Sequence, residues 1–404
     1  MSETIRDAID VAAVRRDTPG CDRVIHLNNA GSSLPPKAVT ETMIDYLHAE
    51  AENGGYETKD GRERQISQTY ISLATLIGAK PSEIAITDNA TKGWDQAFYG
   101  FDFKPGDRVL TCKSEYGSNA LAFLHRAKQI GIDVTVIDND SKGQIDLNSL
   151  EKELADSRVK LVAINHVPTQ SGLVNPAEEV GALTTAAGVP FLLDACQSVG
   201  HLNLDVQTLK CDVLTGTGRK YLRGPRGTGF MYVADSSMHK FQPAFIDNAS
   251  ATWISPTEYE LKPDARRFET WEKSYAAVVG LGAAVDYALD LGMPAIESRI
   301  RHLAGYLRDG LAAISGLQQH DAGANPCGIV SFTIAGVAPE AIKLRLTTLQ
   351  INTSVSRATS SQWDLPAKRL TSVVRVSVHY YNTTDELDRL IANLQDMTSE
   401  SGAI

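Results

Sequence analysis

An α/β fold is predicted: a large domain with a mixed, mostly parallel sheet sandwiched by helices, followed by a smaller α+β domain at the C-terminal end. Three observations lead there. Between about residues 65 and 235, short apolar runs alternate with helix-length amphipathic runs, the pattern of a doubly wound sheet. Those short runs are mostly apolar throughout rather than at every second residue, as strands covered on both faces are. The last hundred residues alternate differently, and a chain of 404 residues has length enough for two domains.

The strands follow in order as "EIAIT" (83–87), "RVLTC" (108–112), "DVTVID" (133–138), "KLVAINHV" (160–167), "PFLLDA" (190–195), "VLTGT" (213–217) and "TGFMYVAD" (228–235). Between them lie the helical runs "ISQTYISLATLIGA", "NALAFLHRAKQIG" and "PAEEVGALTTAAG", the last opening on proline and closing on glycine as a capped helix does. Residues 236–265 read as irregular. Two long helical runs come next, "SYAAVVGLGAAVDYALDLG" and "IESRIRHLAGYLRDGLAAI". Strands "CGIVSFTIAG" and "VVRVSVHYY" and helices "PEAIKLRLTTL" and "DELDRLIANLQDM" make up the smaller unit. The expected boundaries are an N-terminal segment, 1–24, packing with the small domain, a large domain, 25–265, and a small one, 266–404.

A net charge of −10 without a basic block argues against nucleic acid or an anionic membrane surface as partner and leaves a small molecule. The five cysteines lack CxxC or zinc-like spacing, which reads as reduced thiols in a cytoplasmic protein, and no metal site is predicted. His26, His166 and His201 read as structural.

Ligands of such sheets bind beyond the carboxyl ends of the strands, so the polar residues found there are the candidates. Thr91 in "DNATKG" starts a helix, where free N–H groups and a hydroxyl hold a phosphate. Tyr116 follows "RVLTC", Thr169 follows "KLVAINHV", Gln197 follows "PFLLDA", and Thr217, Arg219 and Lys220 end or follow "VLTGT". One group needs a phosphate site, a carboxylate for a ring nitrogen, a partner for a phenolic oxygen and an amine for an aldehyde: pyridoxal 5'-phosphate. Asp194 suits the ring nitrogen, and Lys220, with a pKa lowered by burial and neighbouring cations, suits the aldehyde as a Schiff base and then as a proton shuttle.

Over nearly its whole length the chain resembles the class V aminotransferase family, fold type I pyridoxal enzymes that include cysteine desulfurases, isopenicillin N epimerase and carbon–sulfur lyases. The resemblance rests on "HLNNAG" (26–31), "NATKG" with Thr91, Asp194 and Gln197 in "D-x-x-Q", "TGRK" with Lys220, "GPRGTG" (224–229) and "RVSVHYYN" (375–382). It implies that Gln197 and Thr169 hold the phenolic oxygen, and that Ala90, Thr91, Thr217 and Arg219 hold the phosphate. Tyr116 stacks on the ring in place of the usual histidine. Arg375 takes the substrate α-carboxylate, with Asn29 and Arg357 as further substrate contacts. It also implies a homodimer with shared active sites and an amino acid substrate.

Two departures stand out. The loop 354–372 has no cysteine where desulfurases carry their nucleophile, from which the sequence expectation is that the chain is not a cysteine desulfurase, and Cys327, at the start of a strand, is a poor substitute. "RRFETWEKS" (266–274) carries Trp271 and Glu272 where relatives place a threonine that reaches the phosphate across the dimer, while Tyr56 in "NGGYE" is a candidate for the site's mouth. The expected reaction is β-elimination of a carbon–sulfur substituent; transamination, epimerisation and a noncatalytic cofactor binder are the alternatives.

Overall fold

The computed structural model describes residues 9–401. Its strands in chain order are β1 (Ile25–His26), β2 (Ile84–Thr87), β3 (Arg108–Cys112), β4 (Asp133–Ile137), β5 (Val159–Asn165), β6 (Phe191–Asp194), β7 (Val213–Thr217) and β8 (Gly229–Val233). They continue with β9 (Ala251–Ser255), β10 (Glu258–Leu261), β11 (Leu317–Gln319), β12 (Ile329–Ile334), β13 (Ile351–Asn352), β14 (Ser354–Arg357) and β15 (Ser372–Ser377).

Seven of these form the central sheet in the order β2-β8-β7-β6-β5-β3-β4. β8 pairs antiparallel with both β7 and β2, and the pairings among β4, β3, β5, β6 and β7 are parallel, so β8 alone runs against the rest. Phe191, Leu192 and Leu193 of β6 and Val213 and Leu214 of β7 are fully buried, which is why these strands read as unbroken apolar runs. Parallel pairing puts the carboxyl ends of β3, β5, β6 and β7 at one edge; the register sets Asn165 beside Asp194 and Asp194 beside Thr215.

A second, antiparallel sheet has the order β11-β12-β15-β14, with helices Pro339–Thr348 and Thr384–Ser401 alongside it in the sequence. The short pair β1–β13 ties the start of the chain to this region. Arg15 extends the tie, donating to Tyr381 O at 3.0 Å and to Glu386 at 2.7 Å; of the segment 1–24, residues 1–8 lie outside the described residues. Helix Tyr275–Leu291 packs on helices Lys37–Asn53 and Glu63–Ile77, with Tyr46, Ala276 and Val279 buried together, so packing with the large domain crosses the boundary drawn at 266.

The structure differs from the sequence expectation in several places, among them β14, which occupies the start of the stretch read as the loop 354–372. Residues 236–265 contain the β9–β10 hairpin, whose Trp253, Ile254 and Tyr259 are exposed; with no buried face there is no apolar alternation to read. Helices Lys37–Asn53 and Leu147–Leu154 were not expected; Ile44 and Leu47 of the first are exposed, whereas the second carries an N-cap, Asp146, and buried Leu150 and Leu154. "NGGYE" is a turn only at Gly54, with φ 94°, after which Gly55–Gly61 is helical. The five cysteines are free thiols, and no single described helix is long and apolar enough to cross a membrane.

Candidate active site

The strand-end residues converge on one cavity. At its anion end the helix Ala90–Gly100 begins two residues after β2; Asn89 caps it by accepting from Lys92 N at 3.0 Å, and Ala90 and Thr91 of its first turn line the cavity. β8 starts against this turn. A side chain at Gly229 would put its Cβ 2.5 Å from Ala90 N, so only glycine lets the strand pass without displacing the cradle. Arg219 lines the same end and donates to Thr217 Oγ1 at 3.0 Å. Thr217 thus stands behind Arg219 and orients it, rather than lining the cavity as the sequence implied.

Lys220 is buried in the floor, its Nζ 5.9 Å from the centroid of the Tyr116 ring. Burial holds its amine below the ordinary lysine range, with Arg219 and Arg375 acting in the same direction against Cys196 and Asp194. The loop carrying it is braced: Arg223 N donates to Lys220 O at 2.9 Å and Gly224 N to Gly218 O at 2.8 Å. Arg223 itself is buried in a left-handed conformation, φ 61°, and donates to Leu34 O and Tyr380 Oη, both at 2.8 Å.

Asp194, 5 % exposed, accepts from Cys196 N at 2.9 Å and from Asn119 Nδ2 at 3.0 Å. Gln197 donates to Thr169 Oγ1 at 3.1 Å and to Ala30 O at 3.0 Å, while its Oε1 is buried without a partner among the described residues. Thr169 also accepts from Arg375 Nη1 at 2.7 Å, and Arg375 Nη2 donates to Asn28 Oδ1 at 2.9 Å. Arg375 is 6 % exposed, and no carboxylate pairs with it among the described residues.

These residues fit pyridoxal phosphate. Arg219 beside a helix N-terminus offers a site for a dianion, Asp194 a carboxylate for a ring nitrogen, Gln197 an unpaired amide oxygen, and Lys220 an amine whose proton is easily lost. The cofactor candidates Ala90, Thr91, Tyr116, Thr169, Asp194, Gln197, Arg219 and Lys220 are thus brought together.

Two substrate candidates are not. The carboxamide of Asn29 is fully buried and spent on His26 O, Ser377 O and the Tyr381 hydroxyl; its neighbour Asn28 faces Arg375 instead. Arg357 is half exposed and paired with Glu340 at 3.0 Å, although together with Arg375 it lines a second cavity that meets the first at Tyr116 and Thr169. Tyr56 and Trp271 are exposed and line neither cavity. His26 and His201 have both ring nitrogens engaged, as structural residues do. Cys327 is wholly buried and its thiol is pushed up to about 11 by that burial. Residues the sequence did not single out are Asn89, Asn165, Val167 and Cys196 in the lining, with Glu115 and Asn119 behind it. For Asn89 a signal existed: an asparagine directly before a helical run is an N-cap.

The family model described as aminotransferase class-V matches residues 25–390. A probable cysteine desulfurase of Pyrococcus abyssi is 30 % identical over 95 % of this chain and 96 % of its own length. One of Synechocystis is 30 % identical over 95 % and 94 %. Among solved structures, the apo cysteine desulfurase of Thermococcus onnurineus superposes with a TM-score of 0.90 at 26 % identity, covering 99 % of this chain and 100 % of that one. A cystine C–S lyase in complex with its reaction product cysteine persulfide gives 0.84 at 25 %, covering 94 % and 99 %. These relatives overturn the expectation that the chain is not a cysteine desulfurase. That exclusion rested on one missing loop cysteine, whereas the likeness to desulfurases extends over the whole chain.

Proposed function

This chain belongs to the aminotransferase class-V family of pyridoxal-phosphate enzymes, and from that premise we propose that it cleaves the carbon–sulfur bond of cysteine or an S-substituted cysteine. The observation that carries the substrate reading is Arg375. A buried guanidinium with no carboxylate partner among the described residues is costly, and an α-carboxylate brought by the substrate removes that cost. The choice of a sulfur substituent is supported by the relatives, named cysteine desulfurases and a cystine C–S lyase.

Bound pyridoxal phosphate supplies an electrophilic aldehyde and an electron-accepting ring. Everything else falls to the chain. Asp194 keeps a proton on the ring nitrogen, Gln197 and Thr169 hold the phenolic oxygen, and Tyr116 covers one face of the ring. Ala90, Thr91 and Arg219 hold the phosphate. Arg375 fixes the substrate carboxylate, which leaves Lys220 Nζ to take the α-proton as a neutral amine. The second cavity, about 250 Å³ and lined by Ser356, Thr359, Ser360 and Arg357, has room for a polar substituent beyond the sulfur. Self-association is supported by the exposed Trp253, Ile254 and Tyr259 of the β9–β10 hairpin, which analytical ultracentrifugation would test.

Incubating the loaded protein with L-cysteine, L-cystine and S-substituted cysteines tests the reaction. Elimination is expected to release sulfide from L-cysteine, cysteine persulfide from L-cystine and thiol from S-substituted cysteines, each with a keto acid plus ammonia; alanine is expected only where an added thiol takes up the sulfur as its persulfide. Stoichiometric conversion of the cofactor to its amino form, with no sulfur released, would refute C–S cleavage and favour transamination.

A further inference from the structure

We propose that Asn119 and Glu115 are the positioning pair for the cofactor end of the site: Asn119 holds the Asp194 carboxylate from behind, and Glu115 holds both Asn119 and the backbone of Tyr116. Neither residue lines the cavity, and the inference is independent of which bond the enzyme breaks.

Asn119 lies in the first turn of the helix Gly117–Ile130 and is 3 % exposed. Its amide nitrogen has two hydrogens and two acceptors, Glu115 Oε1 and Asp194 Oδ2, each at 3.0 Å. Glu115 is equally buried, and its Oε1 also accepts the Tyr116 backbone N–H at 2.7 Å, while Oε2 faces the Thr111 hydroxyl at 3.0 Å. With Cys196 N on Asp194 Oδ1, both oxygens of Asp194 are anchored, and each keeps a lone pair free for a ring N–H.

The arrangement solves a definite problem. Two carboxyl groups sit close together away from water, where like charges repel strongly. Burial, then the charge of Asp194, pushes the Glu115 carboxyl up to about 8. The amide between them gives each an N–H in place of the other's charge. Because Oε1 already accepts from two N–H groups, the acidic proton of Glu115 belongs on Oε2, towards Thr111. Glu115 therefore keeps the same acceptor towards Asn119 whether or not it is protonated. One side chain thus sets the stacking residue through its backbone and the ring-nitrogen partner through Asn119.

The test uses apoprotein reconstituted with pyridoxal phosphate carrying ¹⁵N in the ring, and reads two quantities: the dissociation constant of the cofactor and the ring-nitrogen resonance. Asn119→Ala is expected to weaken binding about tenfold to a hundredfold, as for loss of a hydrogen bond to a charged group. It also moves the resonance towards the unprotonated position. Glu115→Ala is expected to act in the same direction, Glu115→Gln to recover most of its loss by restoring the Oε1 acceptor, and the double alanine variant to shift the ring-nitrogen resonance little further than Asn119→Ala does. A wild-type resonance in Asn119→Ala, or additive shifts of that resonance in the double variant, would overturn the proposal. Should Asn119→Ala not fold, the comparison of Glu115→Ala with Glu115→Gln decides it, since absence of recovery by glutamine also overturns it.

Discussion

Replacing Arg375 with methionine separates substrate recognition from folding. The side chain is 6 % exposed, donates to Thr169 Oγ1 at 2.7 Å, Thr169 O at 3.1 Å and Asn28 Oδ1 at 2.9 Å, and leaves Nε without a partner among the described residues. Two costs oppose each other in the free protein. Methionine forfeits hydrogen bonds of a charged donor, about 1.5–3 kcal/mol each at most, but it also relieves the burial of an unpaired cation, about several kcal/mol. The melting temperature is therefore expected to change little. The amino acid complex has no such offset: truncating one partner of a buried, hydrogen-bonded charge pair costs about 2–5 kcal/mol, a loss of affinity of about thirty- to several thousandfold. The assay is titration of the visible band of the loaded protein with L-cysteine and with cysteamine, which lacks the carboxylate, alongside thermal unfolding. L-Cysteine affinity should collapse while cysteamine affinity stays level. If the variant binds L-cysteine within about fivefold of wild type, against the 2–5 kcal/mol expected, or loses both ligands equally, Arg375 is not the carboxylate site.

Other perturbations read other parts of the molecule. Gly229→Ala would drive a Cβ to 2.5 Å from Ala90 N, so phosphate binding should weaken, visible as faster loss of pyridoxal phosphate on dialysis with the far-ultraviolet circular dichroism unchanged. Arg223→Met removes donors to Leu34 O and the Tyr380 hydroxyl, both at 2.8 Å, from a wholly buried site; a loss of roughly 2–4 kcal/mol in urea unfolding is expected, and less than about 1 kcal/mol would show that the brace is dispensable. The pH dependence follows from Glu115, raised from 4.5 to about 8 in the folded state. Between those values the native state holds a proton that the unfolded state has released, so its contribution is fully present below 4.5 and is lost as pH rises through about 8. Apoprotein stability should fall across that window with a slope of at most about 1.4 kcal/mol per pH unit from this group, and Glu115→Gln should flatten it.

Most of the site was legible because a doubly wound sheet announces its working edge: an apolar run that ends in a polar residue marks the carboxyl end of a parallel strand. Thr91, Tyr116, Thr169, Asp194, Gln197 and Lys220 were all found that way, and all line one cavity. What stayed hidden depends on register or burial. Asn28 and Asn29 are adjacent and chemically identical; only the bridge between Asn28 and Ser377 decides which one faces Arg375. Glu115 and Asn119 drew no assignment, since glutamate is seldom buried and nothing local says that Asp194 lies across from them. The β9–β10 hairpin escaped for the opposite reason, because its apolar side chains are exposed rather than alternately buried.

The placement of the cations explains why the site sits where it does. Arg375 comes from β15 of the second sheet, yet its donors end on Thr169, beyond β5 of the central sheet, and on Asn28 of the N-terminal stretch. Arg223, three residues past Lys220, joins the same regions from the other side through Leu34 and Tyr380. Two buried guanidinium groups therefore stitch the three parts together through acceptors that are all neutral among the described residues, which leaves their charge unbalanced. At Arg223 the faces of Tyr380 and Tyr381, at 5.1 and 4.7 Å, absorb part of that charge. Among the described residues no aromatic face lies over Arg375 in the same way. The junction is thus finished on one side by aromatic rings and left open to an anion on the other, so ordering of the second sheet against the first and capture of a substrate carboxylate draw on the same residue.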